Sequence, residues 1–403
     1  MRRVFVYKLK PTAVQEAGLD GYLDATRHLY NAALEHRIAV YKATGKGVSR
    51  FEQEREIKDV RRLPGWEDLA ACNTNPLHDA IIQLDKSYQS FFRRVERGER
   101  AGFPRFKSAG RWNSFVFATY GHGVSLDEDA QRLRVSKVGS IRVRLHRPLE
   151  GRPTQVRIVR KVDGWYAHIV CDVGVAPPKR EGDRTALDLG IESFATLAGG
   201  EQIENPRHLR TAHRDLVSAQ RSLARKRRGS NRRRKQRDRV ALLHLKVARS
   251  RRDFHHKLAR RLVDDFAGVA VEDLRTANLM RHGPFKRGLN RSIADAGWAQ
   301  FVEILTSKAE EAGTEVVKVD PRNTSQACSG CGAIVKKGLG VRQHDCQCGT
   351  SLHRDHNAAL NILNRAWAVP FVEGAELRPV KREAADCRAP RLSSTKEQSD
   401  GER

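Results

Sequence analysis

Acidic residues are scarce in this sequence. Asp and Glu number 48 against 75 Lys and Arg, a net charge of +27 over 403 residues. Such an excess goes far beyond what solubility requires and points to a polyanion partner, nucleic acid before any other. Long apolar runs are missing too. None approaches the ~18 residues of a membrane-spanning helix. The opening MRRVFVYKLKPT alternates and then meets a proline, without the apolar stretch of a secretory leader. Cysteine is sparse, and four of the seven crowd between positions 328 and 348. That grouping fits zinc in a reducing compartment better than a disulfide framework. These absences predict a cytoplasmic protein of a bacterium or archaeon. The 39% apolar content still allows a sizeable core, and the length allows two to four domains.

What is present falls into two halves. Residues 1–10 read as a strand, with Val4, Phe5, Val6, Tyr7 and Leu9 among basic residues. Helical spacing then runs over 12–43, 51–62 and 76–97. In the last, Leu77, Ile81, Leu84, Tyr88, Phe91 and Phe92 form one stripe, read as packing between helices. Its polar start, Asn73-Thr74-Asn75, has the short side chains and helix N-terminus that can meet phosphates and base edges. A basic-aromatic loop follows, Gly102-Phe103-Pro104-Arg105-Phe106-Lys107. From 114 to 173 arginines alternate with apolar residues in five strand-like segments, which gives one buried and one basic face. We expect a small β-barrel here, joined by the first strand, with 11–111 as its helical insert. The Pro- and charge-rich 175–184 is a linker.

The second half opens on Leu187-Asp188-Leu189-Gly190, an acid on an apolar strand. Burying Asp188 alone would cost several kcal/mol, roughly, so it needs a cation or a hydrogen-bond network. Two basic helices are predicted next. Leu209, Ala212, Leu216, Ala219 and Leu223 form the seam of one. Val240, Leu243, Val247, Phe254, Leu258 and Leu262 form the apolar face of the other. The basic run 225–235 between them is too dense in like charge for a merely solvated face, and backbone contact with nucleic acid is expected. Val271-Glu272-Asp273-Leu274 repeats the strand-plus-acid pattern. Residues 281–295 read as a basic loop fit for a lid, 298–312 as a helix and 314–320 as a strand. From 369 to 403 the chain is polar and expected to be disordered.

Asp188, Glu272 and Asp355 thus stand where an acid is awkward, the last at the start of the helical run Asp355-His356-Asn357-Ala358-Ala359-Leu360. Three converging carboxylates can hold two Mg²⁺ ions about 3.5–4 Å apart, the clamp for in-line attack on a phosphodiester. The plainer alternative is three unrelated acids in caps and ion pairs. The order hairpin, long helix, strand, helix agrees with an RNase H-like α/β layer. Separately, Cys328-x-x-Cys331 and Cys346-x-Cys348, with Gly330, Gly332 and Gly349 for tight turns, read as a four-cysteine structural zinc knuckle. His344 or His353 could replace one cysteine. Cys72, Cys171 and Cys387 read as bystanders.

The chain resembles the transposon-encoded TnpB proteins, relatives of the miniature type V CRISPR nucleases. The likeness covers nearly its whole length. It is carried by Tyr88-Gln89-Ser90-Phe91-Phe92, Gly102-Phe103-Pro104-Arg105-Phe106, Leu187-Asp188-Leu189-Gly190-Ile191 and Arg251-Arg252-Asp253-Phe254-His255-His256. It continues in Val271-Glu272-Asp273-Leu274, Ser292-Ile293-Ala294-Asp295-Ala296-Gly297-Trp298, Thr324-Ser325-Gln326-Ala327-Cys328 and Arg354-Asp355-His356-Asn357-Ala358-Ala359-Leu360. The resemblance implies an α/β plus β-barrel protein. Its wedge-like barrel would take 1–10 and 112–178, and a helical recognition domain 11–111. A RuvC-like nuclease domain would take 179–320 and 353–368, and a zinc-bearing target-nucleic-acid-binding insertion 321–352. It further implies a guide RNA from the transposon end, double-stranded target DNA cut beside a short motif, and a monomer with its RNA, lying on the nucleoid when on DNA. By position, Asp188, Glu272 and Asp355 match the family's catalytic metal ligands, Cys328, Cys331, Cys346 and Cys348 its zinc ligands, and Thr74, Asn75 and His78 its motif readers. His353 departs from the acid that often precedes Arg354, and the second cysteine pair is one residue short. Two other functions fit the same features: an RNA-guided DNA-binding regulator that does not cut, and a protein-only DNA transposase.

Overall fold

The computed structural model describes residues 1–280, 286–338 and 340–367. The chain divides into two units. The first holds Met1–Pro178, Arg207–His256 and Glu310–Gly313, and the second the remainder.

In the first unit, β1 (Arg2–Lys10) leads into α1 (Ala13–Thr44). Thr12 Oγ1 accepts from the Gln15 backbone N–H, and the Gln15 side chain accepts from the Thr12 N–H, so two free helix-end donors are met reciprocally. Ser49 and Glu52 repeat the device at α2 (Arg50–Val60). A short α3 (Glu67–Ala70) precedes α4 (Thr74–Glu96), which Asn73 caps. Then come β2 (Ser114–Phe117), β3 (Val124–Asp127), β4 (Arg132–Val135), β5 (Gly139–Arg144), β6 (Arg152–Lys161) and β7 (Gly164–Asp172). They join β1 in an antiparallel sheet of order β2-β6-β7-β1-β5-β4-β3. The ladder ends at β2 and β3, so the expected barrel is a half-barrel.

Strand alternation sets the core. Phe5, Tyr7 and Leu9 of β1 join Ala167 and Ile169 of β7 in one apolar cluster with Leu19 and Tyr22 of α1 and Leu77 and Ile81 of α4. Sheet and helical stretch therefore share a core. The opposite face of the sheet carries charge. Arg249 donates to Asp163 Oδ2 and to the Tyr166 hydroxyl, each at 2.7 Å. This ties β7 and its preceding turn to the last long helix of the unit. The first expected basic helix is broken at Ala212 into α5 (His208–Thr211) and α6 (His213–Ala224). The second is α7 (Asn231–Asp265), of which residues from Lys257 on belong with the second unit.

The second unit is built on β8 (Arg184–Leu189), β9 (Ser193–Leu197), β10 (Gln202–Glu204), β11 (Gly268–Glu272) and β12 (Glu315–Val319), in the order β10-β9-β8-β11-β12. β8, β9 and β10 run antiparallel, whereas β8, β11 and β12 run parallel. Every residue of β11 is buried, as expected of a strand covered on both faces. α8 (Thr276–Leu279), α9 (Arg287–Ala296) and α10 (Trp298–Ala312) lie between β11 and β12. The lid expected over 281–295 is thus helical from Arg287, and 281–285 lie outside the described residues. A hairpin of β13 (Gln343–Asp345) and β14 (Ser351–His353) feeds α11 (Arg354–Trp367), whose Ala359 and Ile362 pack with Ala186 of β8 and Ala270 of β11. The predicted tail, with Cys387, lies outside the described residues. Among those residues no helix is long and apolar enough to cross a membrane.

Candidate active site and metal centre

The parallel register of β8 and β11 places two acids side by side. Ala186 pairs with Ala270 and Leu187 with Val271. One step further Asp188 falls beside Glu272, on the same face and at the carboxyl ends of both strands, the edge where α/β sheets place their ligands. Asp355 is the second residue of α11, which packs on β8, β9, β11 and β12.

The electrostatics bear out the nearness. Burial pushes the Asp188 carboxyl well above the usual carboxylate range; the negative charges of Glu272 and Asp355 push it further, and Arg354 and Arg342 oppose. Glu272, 8% exposed, is also raised by burial, though the Thr324 hydroxyl and Arg365 restrain it. Thr324 Oγ1 donates to Glu272 Oε1 at 2.5 Å. Arg342 reaches Glu192 at 2.5 Å and Asp355 at 3.8 Å. The site is a cluster of acids that repel one another in a partly dry setting, a donor set whose charge a divalent cation could offset. Its carboxylates stand further from shared ligation than the cysteines do: among the described residues only those four form a set of three or more His, Cys, Asp or Glu already grouped for a metal ion.

The sulfur atoms of Cys328, Cys331, Cys346 and Cys348 all lie within 4.8 Å of one another. Cys328 and Cys348 are 3.6 Å apart, as are Cys331 and Cys346. A tetrahedron with Zn–S near 2.3 Å has sulfur edges of about 3.8 Å, so the set could bind zinc with little adjustment. The glycines do what their spacing predicts. Gly332 and Gly349 have φ of +76° and +91°, and a Cβ on Gly330 would lie 2.5 Å from the Thr350 hydroxyl. That hydroxyl, with the Thr350 backbone, holds the Cys348 thiol down at about 6. Cys331 is drawn down by the Ala333 backbone, yet sharing protons with Cys348 and Cys346 leaves it pushed up to about 12. Neither histidine joins the cluster. His344 is buried against Lys337, and His353 Nδ1 accepts from the Asp355 N–H at 3.3 Å.

Two asparagines that sequence reasoning passed over join the cysteine loop to α11. Asn357 Oδ1 accepts from the Ser329 N–H at 2.9 Å while its Nδ2 donates to Ala327 O at 2.7 Å. Asn361 Nδ2 donates to Thr324 O and Ala327 O. A signal existed: two amides four residues apart beside the apolar Ala358 and Ile362, on a helix face otherwise fit for burial.

In the first unit Asn73, Thr74, Asn75 and His78 line a cavity of about 580 Å³ with Thr119 and His122, which were not predicted. Asn75 Oδ1 accepts from the Ala118 N–H at 2.7 Å, so that oxygen serves the fold. In the basic run, Arg233 donates to Leu223 O and Lys226 O, closing the end of α6.

Comparison with known proteins places these features in a lineage. Three family models match: one described as "Probable transposase" over residues 168–282, one as "Cas12f1-like, TNB domain" over 298–362, and one as "Helix-turn-helix domain" over 1–46. The last span holds a strand and one unbroken helix here. A protein of Streptomyces pristinaespiralis, provisionally named an RNA-guided DNA endonuclease, is 33% identical over 94% of this chain and 92% of its own. The Escherichia coli K12 protein InsQ, with the same provisional name, is 30% identical over 95% of this chain and 98% of its own. A solved mini-RNA-guided endonuclease, CRISPR-Cas_phi3, is 11% identical with a TM-score of 0.43, over 91% of this chain and 92% of that one.

Proposed function

The chain belongs to the TnpB family of transposon-encoded proteins, and from that membership we propose that it is an RNA-guided DNA endonuclease cutting beside a short flanking motif. One observation carries the chemistry: the parallel register of β8 and β11 runs to Leu187 beside Val271, which sets Asp188 and Glu272 at neighbouring strand ends, and the charges of both Glu272 and Asp355 are felt at Asp188. The mixed five-stranded sheet, antiparallel on one side of β8 and parallel on the other, supports reading this unit as RNase H-like and RuvC-type. Asp188, Glu272 and Asp355 are the catalytic acids on this reading. Two Mg²⁺ ions held by them would activate water and take up charge on the leaving oxygen. The chain supplies the rest. Thr324 donates to Glu272 and opposes the upward push of burial, Arg342 steadies Asp355, and α11 carries its acid to the strand ends.

The four cysteines hold a structural zinc whose ligand set is closed, so it takes no part in cleavage. The domain boundaries follow the family: 1–10 with 112–178 as wedge, 11–111 as recognition domain, 179–320 with 353–368 as nuclease domain and 321–352 as zinc insertion. Base pairing with the guide supplies sequence, while Thr74, Asn75 and His78 face the motif. The protein acts in the cytoplasm as a monomer with its RNA.

The test is direct. Purified with its RNA, the protein cuts a matched duplex in Mg²⁺, and Asp188→Ala stops cutting while leaving duplex binding in place. Cutting by that variant at the full rate would overturn the site assignment.

A further inference from the structure

The basic-aromatic loop at 102–107 has no part in the site above, and the structure gives it a cavity. One face of α4, carrying Lys86, Phe91 and Arg94, meets Phe103, Arg105 and Lys107 around a space of about 490 Å³. That volume is in the range of small-molecule pockets. Among the described residues no carboxylate lines it.

The aromatic side of the cavity is built rather than incidental. Phe103 stands edge-on to Phe91 at 5.4 Å and to Tyr88 at 5.6 Å. Its ring is held from below, yet 47% of the residue stays exposed. The loop is fixed at both backbone groups of one residue: the Lys107 N–H donates to Asn31 Oδ1 at 2.8 Å, and Asn31 Nδ2 donates to the Lys107 carbonyl at 3.0 Å. The Lys107 ammonium lies 5.5 Å from the Tyr30 ring centre. Tyr30, which also lines the cavity, is 1% exposed, and among the described residues its hydroxyl finds no hydrogen-bond partner. Buried hydroxyls are nearly always satisfied, so a partner from outside the chain is the expected remedy.

A rigid ring left bare, four cations without an acid among them, and an orphaned hydroxyl describe one ligand class. We infer that this cavity binds a single unstacked nucleotide of single-stranded nucleic acid. The base lies on Phe103, and the flanking phosphates meet Arg94, Arg105 and Lys107. Stacking supplies affinity without sequence preference, since every base has a π-face. The role differs from motif reading at the start of α4, because the cavity opens on the helix's later turns. It needs no cleavage, so binding tests it independently of the nuclease reading.

The experiment titrates the full chain with labelled 12-nucleotide single strands, oligo(U) RNA and oligo(dT) DNA, and with a duplex of equal length, using anisotropy. Phe103→Ala is expected to weaken single-strand binding on the order of tenfold, the worth of one stacked base, and to leave duplex binding unchanged. Phe103→Trp should keep the affinity and have its emission quenched at saturation. Thermal melting of both variants checks the fold. A larger loss with RNA assigns the pocket to an unpaired guide nucleotide, and a larger loss with DNA to a displaced strand. Either supports the inference. Equal single-strand affinity in Phe103→Ala and wild type, or an unquenched Phe103→Trp, overturns it.

Discussion

The backbone N–H of Ser329, between the two cysteines of the first pair, donates to Oδ1 of Asn357, two residues past Asp355. Asn357 is fully buried, so truncation leaves the Ser329 donor unmet inside the protein and the Ala327 carbonyl with Asn361 as its remaining side-chain donor. Asn357→Ala should lower stability by about 2–3 kcal/mol, read by urea denaturation. It should also slow cleavage although every proposed ligand is intact. Full activity in a destabilised variant would separate the cysteine loop from the acid site.

Removal of zinc should act through the same link. The protein is expected to carry about one zinc per chain, lost in Cys328→Ser and Cys348→Ser, as elemental analysis would show. Both variants should melt at lower temperature and cut slowly, while RNA binding through the first unit persists. Restoring zinc to chelator-treated wild type should recover cleavage.

Thr324→Val removes the hydroxyl that restrains the pKa of Glu272. Without that donor the buried acid rises further, and a protonated carboxyl is a poor metal ligand. The half-saturating Mg²⁺ concentration at neutral pH should increase by roughly tenfold. The acid limb of the cleavage profile should move to higher pH. An unchanged Mg²⁺ requirement would remove Glu272 from the ligand set.

His168 titrates in the opposite setting. Burial first, then the charges of Lys161, Arg157 and Arg252, hold its imidazole down at about 4. The unfolded chain takes up a proton near 6.5 and the native one does not. Stability is therefore intact above 6.5 and falls as pH drops toward 4, by up to about 3 kcal/mol. His168→Phe should flatten that part of the stability–pH curve, measured by urea denaturation at several pH values.

The basic run separates by position. Arg228 and Arg232 are exposed, and replacing either with Gln should reduce the slope of log affinity against log salt by about one. Arg233 already serves two carbonyls at the end of α6. Arg233→Ala should destabilise the protein and leave the slope nearly unchanged.

Asp188 and Glu272 stood out because an acid on an apolar strand is a physical anomaly, and their neighbouring strand ends bring the two charges near each other. The cysteine turn was legible because metal ligands and left-handed glycines obey spacing. Thr324, Arg342, Asn357 and Asn361 were not. Their partners lie 13 to 150 residues away, and a bond to a distant carboxylate or backbone group leaves no local pattern. β3 was missed because Val124-Ser125-Leu126-Asp127 is half polar. The helix in the expected lid was hidden by its basic, glycine-bearing composition. Whether a sheet closes depends on tilt and stagger between strands, which alternation does not encode, so the open ladder could not be foreseen.

The first turn of α11 serves two masters on opposite sides. At about 100° per residue, Asp355 and Asn357 point some 200° apart, one toward the strand ends and the other to the cysteine loop. Their separation is therefore an angle as much as a distance. One residue inserted between them would swing the carboxylate by a quarter-turn or more while leaving every side chain in the chain's inventory. Over these three positions the constraint falls on phase, which a change of length destroys even when every residue type is kept.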